Sequence, residues 1–161
     1  MNLKNIAVIL TSGLLAFSCN QQNDSEQASQ SESQEMSIFP KGEKIENDNF
    51  TGTAYLNMMV YADSINQNSV GNVTFKPGAR TNWHLHPNGQ IILALEGEGY
   101  YQEEGKAKEV LRSGDVIKCP PNVPHWHGAS PDKTFVQTAI SNGISGPAEW
   151  LEPVSDEEYN Q

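Results

Sequence analysis

The sequence is poor in cysteine, in positive charge and in long apolar runs. Among 161 residues there are two cysteines, and 10 Lys and Arg residues stand against 20 Asp and Glu residues, a formal net charge of −10. Two cysteines cannot build a disulfide framework, and no C-x-x-C pair suggests a zinc knuckle or a redox centre. The acidic balance argues against nucleic acid as a partner, because phosphate binding needs clustered Lys and Arg.

Motifs typical of several enzyme classes are also missing. The sequence has no glycine loop that would cradle a phosphate, no Ser-His-Asp order and no obvious pair of catalytic carboxylates. Cys119 has no recognisable base and is expected to be a small buried residue. The chain instead has 13 Gly and 9 Pro and few helical periods. This composition favours a turn-rich β protein, and the length suits one ordinary domain.

The N-terminus has the layout of an export signal. Lys4 precedes Ile6–Phe17, a mostly apolar run that has the length of a signal-peptide core and is too short to span a bilayer. Residues 15–19, Leu-Ala-Phe-Ser-Cys, resemble a bacterial lipobox, which implies cleavage before Cys19 and lipid attachment to its sulfur. An ordinary signal with an incidental cysteine is the alternative. We therefore expect a signal peptide over residues 1–18 and an exported lipoprotein of the cell envelope, which meets the membrane only through this anchor.

The segment that follows the anchor is polar. Residues 19–35 are rich in Gln, Ser and Asn and contain four acids and no base. Such a segment buries too little apolar surface to offset its ordering entropy, so we expect a flexible, disordered tether. The folded domain is then expected over residues 36–161.

Short strand-like runs recur along this domain and are separated by glycine and proline turns. The predicted strands are Thr53–Tyr61, Ser69–Lys76, Thr81–His86, Gln90–Glu96, Gly99–Glu103, Lys106–Leu111, Asp115–Cys119, His125–Ala129 and Thr134–Ser141. Many short strands at this spacing predict an all-β sandwich or barrel. The one helix we expect is short and C-terminal, where Ser155 and Glu158 have the spacing of a capping box.

All four histidines fall in two short clusters, His84 with His86 and His125 with His127. Because side chains alternate across a strand, His84 and His86 point to the same face and can converge on one ion. A single histidine in a β protein is usually a surface or core residue. The clustering of every histidine in the chain favours metal binding.

The clusters lie in two longer patterns: G-x5-H-x-H-x3-Q-x6-G over Gly78–Gly97 and G-x5-P-x4-H over Gly114–His125. These segments resemble the paired motifs of the cupins, which are small double-stranded β-helix, or jelly-roll, barrels. The resemblance implies one divalent metal ion inside a single barrel. Carried over residue by residue, it implies the ligands His84, His86, Gln90 and His125. Most of the family has Glu where this chain has Gln90, and a metal-free cupin is the rival interpretation.

The glutamine changes the expected chemistry. The carboxamide oxygen of Gln90 is neutral, so the site would keep nearly the whole +2 charge of the ion. Such an ion is a stronger Lewis acid and lowers the pKa of a bound water or hydroxyl further. Three imidazoles and one amide leave one or two positions for a substrate, and these ligands suit Mn, Fe, Co, Ni, Cu or Zn.

A longer stretch, from Phe50 to Tyr159, is similar to the small single-domain cupins that include bacterial manganese-dependent hydroxynitrile lyases. Those enzymes cleave cyanohydrins to an aldehyde and cyanide, so the resemblance implies manganese and a small hydroxy or carbonyl substrate. It also implies a homo-oligomer, a dimer or tetramer. The lyases carry a His and a Gln on the last core strand, where we align Gln137 and Ser141 of this chain.

Further residues are expected around the ion. His127 is two residues past His125, so it points the same way and is a candidate catalytic base or a partner of the ligands. Packing at the barrel mouth is the alternative. Gln137 and Ser141 share a face of the last strand and are candidates to orient a substrate oxygen, Gln137 as a catalytic residue and Ser141 as a pocket residue. A core or solvent role is the alternative for both.

Two pairs of apolar residues are expected on opposite sides of the barrel wall. Val73 and Phe75 should face the interior as pocket residues. Trp83 and Trp126 each flank a ligand histidine and should therefore pack on the outer face.

Three functions fit this sequence. The first is an enzyme with lyase- or isomerase-type chemistry on a small oxygenated molecule, which bound Mn or Zn would favour. The second is a cupin dioxygenase or oxidoreductase that uses Fe, Ni or Cu. The third is a non-catalytic cupin that binds a small ligand.

Overall fold

A computed structural model describes residues 37–161, and it confirms an all-β fold with one short helix in this part of the chain. The strands are β1 (Glu43–Lys44), β2 (Phe50–Thr51), β3 (Ala54–Val60), β4 (Asn68–Phe75), β5 (Arg80–Thr81), β6 (His84–Leu85), β7 (Gln90–Glu103), β8 (Glu109–Arg112), β9 (Val116–Cys119), β10 (His125–Ala129), β11 (Phe135–Asn142) and β12 (Glu149–Trp150). The helix is α1 (Asp156–Asn160).

The predicted signal peptide (1–18), tether (19–35) and lipidated Cys19 lie outside the described residues, so these three assignments stay predictions. Within residues 37–161, no helix has the length and apolar character that a membrane crossing requires.

All twelve strands are hydrogen-bonded into one antiparallel sheet, and this sheet curls around the barrel interior in two halves. One half has the order β1-β3-β4-β11-β7-β9, and the other joins β2, β5, β10, β7 and β8, with β6 on β10 and β12 on β6. The strand β7 belongs to both halves, because its first part pairs with β11 and its second part with β10.

The sequence predicts two strands in this region, Gln90–Glu96 and Gly99–Glu103, and that prediction was wrong. The chain runs through as one bent strand of 14 residues. Gly97 lies at the bend with a φ of +75°, and a Cβ there would collide with the carbonyl oxygen of Thr134. Only glycine fits this conformation and this close approach. The glycine therefore marks a bend that lets one strand serve both halves of the barrel.

Alternate residues of β7 and β11 face the interior. Ile92, Phe135 and Gln137 are fully buried, whereas Ile91, one residue from Ile92, is 41% exposed on the outer face. The interior cluster consists of Ala54, Val73, Phe75, Ala79, Ile92, Ala94, Tyr101, Leu111, Cys119, Ala129 and Phe135. Each large apolar side chain buried in this way stabilises the fold by roughly 1.5–3 kcal/mol. Cys119 is buried as expected, and burial raises the pKa of its thiol to about 12.

A second cluster lies outside the barrel and contains Trp83, Trp126, Val154 and Tyr159. It forms where the C-terminal segment folds back over the sheet, and it confirms the outward direction expected for the two tryptophans. The predicted capping box is also confirmed: the Ser155 hydroxyl accepts from the Glu158 N–H, and the Glu158 carboxylate accepts from the Ser155 N–H.

A buried arginine attaches the same segment to the barrel. Arg80 is 4% exposed, and its guanidinium donates to the Val154 carbonyl from Nε at 3.2 Å and from Nη2 at 2.9 Å. The Tyr159 hydroxyl donates to the Ala129 carbonyl at 2.7 Å. The C-terminal segment is therefore fixed at several points along its length.

Candidate functional site

Three histidines from two neighbouring stretches of the sheet meet inside the barrel. The short strand β6 pairs with β10 so that His84 lies directly opposite His125, and the centroids of their imidazoles are 4.5 Å apart. The ring of His86 lies 5.3 Å from that of His84 and 5.7 Å from that of His125. All three side chains are buried. The structure thus brings the three predicted histidine ligands together.

Backbone carbonyls fix the tautomers of two of these rings. Nδ1 of His84 lies 3.0 Å from the carbonyl oxygen of Asn82, and Nδ1 of His125 lies 2.9 Å from that of Val123. A carbonyl only accepts hydrogen bonds, so each Nδ1 must carry the proton and each Nε2 presents a lone pair. This is the arrangement that metal-binding histidines adopt.

Gln90 is held with its oxygen free. Its amide nitrogen donates to the Ser141 hydroxyl at 3.0 Å, while its Oε1 is buried and has no hydrogen-bond partner. The structure therefore places Ser141 as the residue that orients the Gln90 carboxamide. The free oxygen is the atom that the sequence analysis assigned to the ion.

Unpartnered polar atoms are concentrated at this point. Among residues 37–161, nine buried side-chain N or O atoms have no hydrogen-bond partner, and five of them belong to this site. The five are Nε2 of His86, His125 and His127 and Oε1 of Gln90 and Gln137. Each such atom costs about 1–3 kcal/mol when it stays unsatisfied. A set of nitrogen and oxygen donors of this kind fits a divalent metal ion.

His127 and Gln137 form a pair deeper in the barrel. His127 Nδ1 lies 3.1 Å from the Gln137 side-chain nitrogen, and both side chains are nearly inaccessible to solvent. The two ends of a carboxamide are interchangeable in shape. If the amide nitrogen faces Nδ1, it donates to that atom, and His127 carries its proton on Nε2. If the amide oxygen faces Nδ1, it accepts the Nδ1 proton, and Nε2 is left with a lone pair that can accept a hydrogen bond. Gln137 therefore sets the tautomer of His127.

His127 is also a candidate metal ligand. The ligand nitrogens of His84, His125 and His127 all lie within 4.8 Å of one another. The sequence predicts His127 as the base, and the resemblance to the cupins implies His84, His86, Gln90 and His125 as the metal ligands. The structure places all of these side chains around one space, and the division of roles among them stays a prediction.

The imidazoles are held in the neutral form. Burial, and then repulsion by neighbouring imidazoles, keeps the pKa of His84 and His127 well below 6.5. The same two causes lower the pKa of His86 to about 4. Burial also lowers the pKa of His125. Neutral imidazole is the form that binds a metal, so the site is prepared for an ion at neutral pH.

A cavity of about 130 Å³ gives access to these groups. It is lined by Phe50, Val73, Thr81, His84, His86, Gln90, His127, Ala139 and Trp150. Val73, which the sequence predicted as a pocket residue, lines this cavity, and Ser141, predicted alongside it, does not. Phe75 does not line it, but packs edge-on against His127 with centroids 5.8 Å apart. A larger hollow of about 270 Å³ lies outside the barrel beside Trp83 and Leu151, and no histidine lines it.

Four lining residues were missed by the sequence analysis: Phe50, Thr81, Ala139 and Trp150. Ala139 shares the face of Gln137 and Ser141, so strand alternation alone could have found it. The Thr81 hydroxyl accepts from the backbone N–H of His127 at 3.2 Å. Trp150 reaches the cavity through the pairing of β12 with β6, a long-range contact for which the local sequence has no signal.

Comparisons with known proteins agree with this fold. The Cupin domain family matches residues 71–140. The chain is 41% identical over 113 residues to (R)-mandelonitrile lyase from Granulicella tundricola, which covers 70% of this chain and 86% of that protein. A shorter match, 36% identity over 66 residues, joins it to acireductone dioxygenase from Alcanivorax borkumensis and covers 39% of this chain and 36% of that protein. Among solved structures, a cupin-like protein from Thermotoga maritima is similar with a TM-score of 0.74 and 48% identity, over 76% of this chain and 94% of the other.

Proposed function

This chain belongs to the cupin family, and we propose that it is a metal-dependent enzyme with lyase- or isomerase-type chemistry on a small hydroxy or carbonyl compound. The observation that carries the proposal is the group of buried, unpartnered ligand atoms, of which those of His86, Gln90 and His127 belong to residues that line one cavity. The match to (R)-mandelonitrile lyase over 86% of that protein supports the substrate class.

One divalent ion would be held by His84, His86, Gln90 and His125. We propose manganese, on the resemblance described above, and the same ligands also suit Fe, Zn, Ni, Co and Cu. When bound, such an ion polarises a substrate oxygen and lowers the pKa of a hydroxyl group. The neutral carboxamide of Gln90, oriented by Ser141, keeps the positive charge of the site high.

The protein's own side chains then bind the substrate and move its proton. His127 lines the cavity, and its Nε2 is free to take the proton of a substrate hydroxyl and to return it in the reverse direction. This role requires the Gln137 carboxamide to present its oxygen to Nδ1, the reverse of the orientation in which its nitrogen lies 3.1 Å from that atom. Val73 and Ala139 line the cavity with apolar surface, which favours the carbon part of the substrate and excludes water.

A second candidate is oxygen-dependent chemistry with Fe, Ni or Cu. It is supported by the match to acireductone dioxygenase, although the two chains share only about a third of that protein's length. Oxygen uptake by the iron- or nickel-loaded protein would favour this alternative over the lyase.

The first test is metal analysis of the purified protein, followed by release of cyanide from mandelonitrile. We expect manganese and cyanide release in the wild type, loss of both in His84→Ala, and loss of cyanide release with retained metal in His127→Ala. Absence of cyanide release at high protein concentration would remove the hydroxynitrile version. If His84→Ala loses the metal but binds every small ligand as before, the metal-centred proposal fails.

We further propose that the protein is exported and anchored to the cell envelope through Cys19. The lipobox-like residues 15–19 support this assignment. We expect Cys19→Ser to move the protein from the membrane fraction to the soluble fraction of the envelope. Membrane association that is unchanged by the substitution would contradict the anchor.

A homo-oligomer, a dimer or tetramer, completes the proposal. Ile91 and Val116 lie on the outer face of neighbouring strands and are 41% and 62% exposed. Apolar side chains grouped on a sheet face are typical of subunit contacts. We expect light scattering to give a dimer or larger mass and Val116→Asp to lower it, whereas a monomeric wild type would contradict the assignment.

A further inference from the structure

We propose that Trp150 determines the specificity of the cavity, because its indole is the wall that recognises a flat apolar substituent on the substrate and limits its size. This inference rests on the proposed function, since it concerns the same cavity and the same class of small oxygenated compounds.

The cavity has a polar part and an apolar part. The polar part consists of His84, His86, His127, Gln90 and Thr81, and the apolar part of Phe50, Val73, Ala139 and Trp150. The polar groups can bind only the oxygen-bearing end of a small molecule. The rest of the molecule must therefore meet the apolar part, and its shape there decides which substituents fit.

Trp150 occupies the exposed edge of the apolar part. Its ring stacks on the imidazole of His84, with centroids 4.8 Å apart and an angle of 29° between the planes. Its ring centroid also lies 5.6 Å from that of Phe50. The residue is 37% exposed, whereas Val73 is 7% exposed. The indole thus covers a predicted metal ligand on one side and borders solvent on the other.

The backbone that carries Trp150 is fixed. Trp150 pairs with His84 across β12 and β6, and the N–H of Leu151 donates to the carbonyl of Trp83 at 2.8 Å. Arg80 then binds the Val154 carbonyl a few residues further on. Because the backbone cannot move away easily, the size of the residue at position 150 sets the size of the opening.

The space is small enough for this wall to matter. About 130 Å³ is room for a compact molecule with one ring or one short branched group, and we expect a fused ring system to need space that the indole occupies. A planar ring that enters beside Trp150 gains an aromatic contact that a methyl group cannot make. We therefore expect preference for aromatic over small aliphatic substituents, and exclusion of bicyclic ones.

The test compares two hydroxy acids, mandelate and lactate, which share one oxygen-bearing head and differ only in a phenyl or methyl substituent. Binding to the manganese-reconstituted protein is measured by isothermal titration calorimetry, so the readout does not depend on turnover. We expect the wild type to bind mandelate more tightly than lactate. Trp150→Ala should weaken the binding of mandelate about tenfold and change the affinity for lactate by less than about twofold. A naphthyl glycolate should bind Trp150→Ala and not the wild type.

Two further variants complete the design. Trp150→Phe keeps a ring over His84, so its affinity for mandelate should fall only about threefold. This variant keeps the test informative if Trp150→Ala does not fold. Tyr61→Ala removes an aromatic residue that is 74% exposed and does not line the cavity, and it should change neither affinity.

The outcomes separate the two proposals. Suppose that both acids bind the wild type. If the Trp150 variants then lower the two affinities equally, or lower neither, the role of Trp150 is overturned and the proposed function stands. If neither acid binds a wild-type protein that holds manganese, the proposed substrate class fails, and the inference about Trp150 fails with it.

Discussion

The barrel interior and the outer aromatic cluster both bury large side chains, but they treat polar atoms in opposite ways. In the outer cluster, the Trp126 indole donates to Gln102 at 2.9 Å and the Tyr159 hydroxyl donates to Ala129 at 2.7 Å. In the interior, imidazole and carboxamide atoms are left without partners. The outer cluster therefore stabilises the fold, whereas the interior leaves atoms free to bind a ligand at a cost in stability.

The largest effect that separates the two regions is expected from Tyr159→Ala. Tyr159 is 5% exposed and packs on Trp126, so its truncation should lower the free energy of unfolding by about 3–5 kcal/mol. The affinity of the folded protein for manganese should not change. Urea denaturation and calorimetric metal titration measure the two quantities.

Tyr159→Phe is the matched control. It keeps the ring and loses only the hydrogen bond to the Ala129 carbonyl, at a cost of about 1 kcal/mol. A fall in metal affinity that accompanies either change would show that the two regions are not separable.

Gln90→Leu is expected to do the opposite of Tyr159→Ala: it should lower the affinity for manganese and leave the stability of the fold intact. Loss of one of the four ligands should weaken manganese binding by about a hundredfold, since removing even a residue that only orients a metal ligand costs about 10–100-fold in affinity. The stability of the metal-free protein should stay the same or rise, because the variant removes a buried oxygen that has no partner. Thermal unfolding with and without manganese measures both effects.

Ser141→Ala tests whether Ser141 acts on the ion only through Gln90. It leaves the Gln90 ligand in place and removes the hydroxyl that orients it, so manganese binding should weaken by about tenfold only. A loss as large as that of Gln90→Leu would instead mean that Ser141 acts on the ion directly.

Much of this contrast could be predicted from the sequence because it depends on local periodicity. The alternation of side chains along a strand placed Trp83 and Trp126 outside and Val73 inside. The capping box at Ser155 is a pattern within four residues and was also predictable. The cupin barrel itself followed from the spaced histidines, glycines and prolines.

The remainder depends on long-range pairing that local patterns do not encode. The predicted strand Thr81–His86 is divided into β5 and β6, because the backbone of Trp83 between them bonds to Leu151 and Glu152 of the C-terminal segment. The position of Trp150 over the cavity follows from the same pairing. The contact between His127 and Gln137 requires β10 and β11 to be packed face to face, and the spacing of residues along the sequence does not predict this packing.

A smaller effect is expected from Arg80→Met, which tests how firmly the outer segment is attached. The variant leaves the Val154 carbonyl without its charged donor, so the free energy of unfolding should fall by about 2 kcal/mol. Since that segment carries Trp150, we also expect a change in near-UV circular dichroism. Chemical denaturation and the circular dichroism spectrum provide the measurements.

Asp156→Asn separates the contribution of the carboxylate partner of Arg80 from that of the Val154 carbonyl. The Asp156 carboxylate accepts from the guanidinium at 2.7 Å, but its side chain is 89% exposed. Because solvent screens the exposed carboxylate, this variant should change stability by less than about 0.5 kcal/mol. An effect equal to that of Arg80→Met would assign the attachment to the ion pair and not to the carbonyl.

The smallest effect is a pH dependence in the capping box of α1. The hydrogen bond from the Ser155 backbone, followed by that from its hydroxyl, holds the pKa of Glu158 below its ordinary value of 4.5. Because the folded pKa is the lower one, the carboxylate stabilises the fold fully above pH 4.5, and this contribution is lost as the pH falls through the folded pKa. Glu158→Gln keeps a side chain that can accept from the Ser155 N–H and removes the titration. The difference in melting temperature between wild type and variant should therefore shrink from pH 6 towards pH 3, whereas a difference that is constant with pH would mean that the charge of Glu158 does not contribute to the cap.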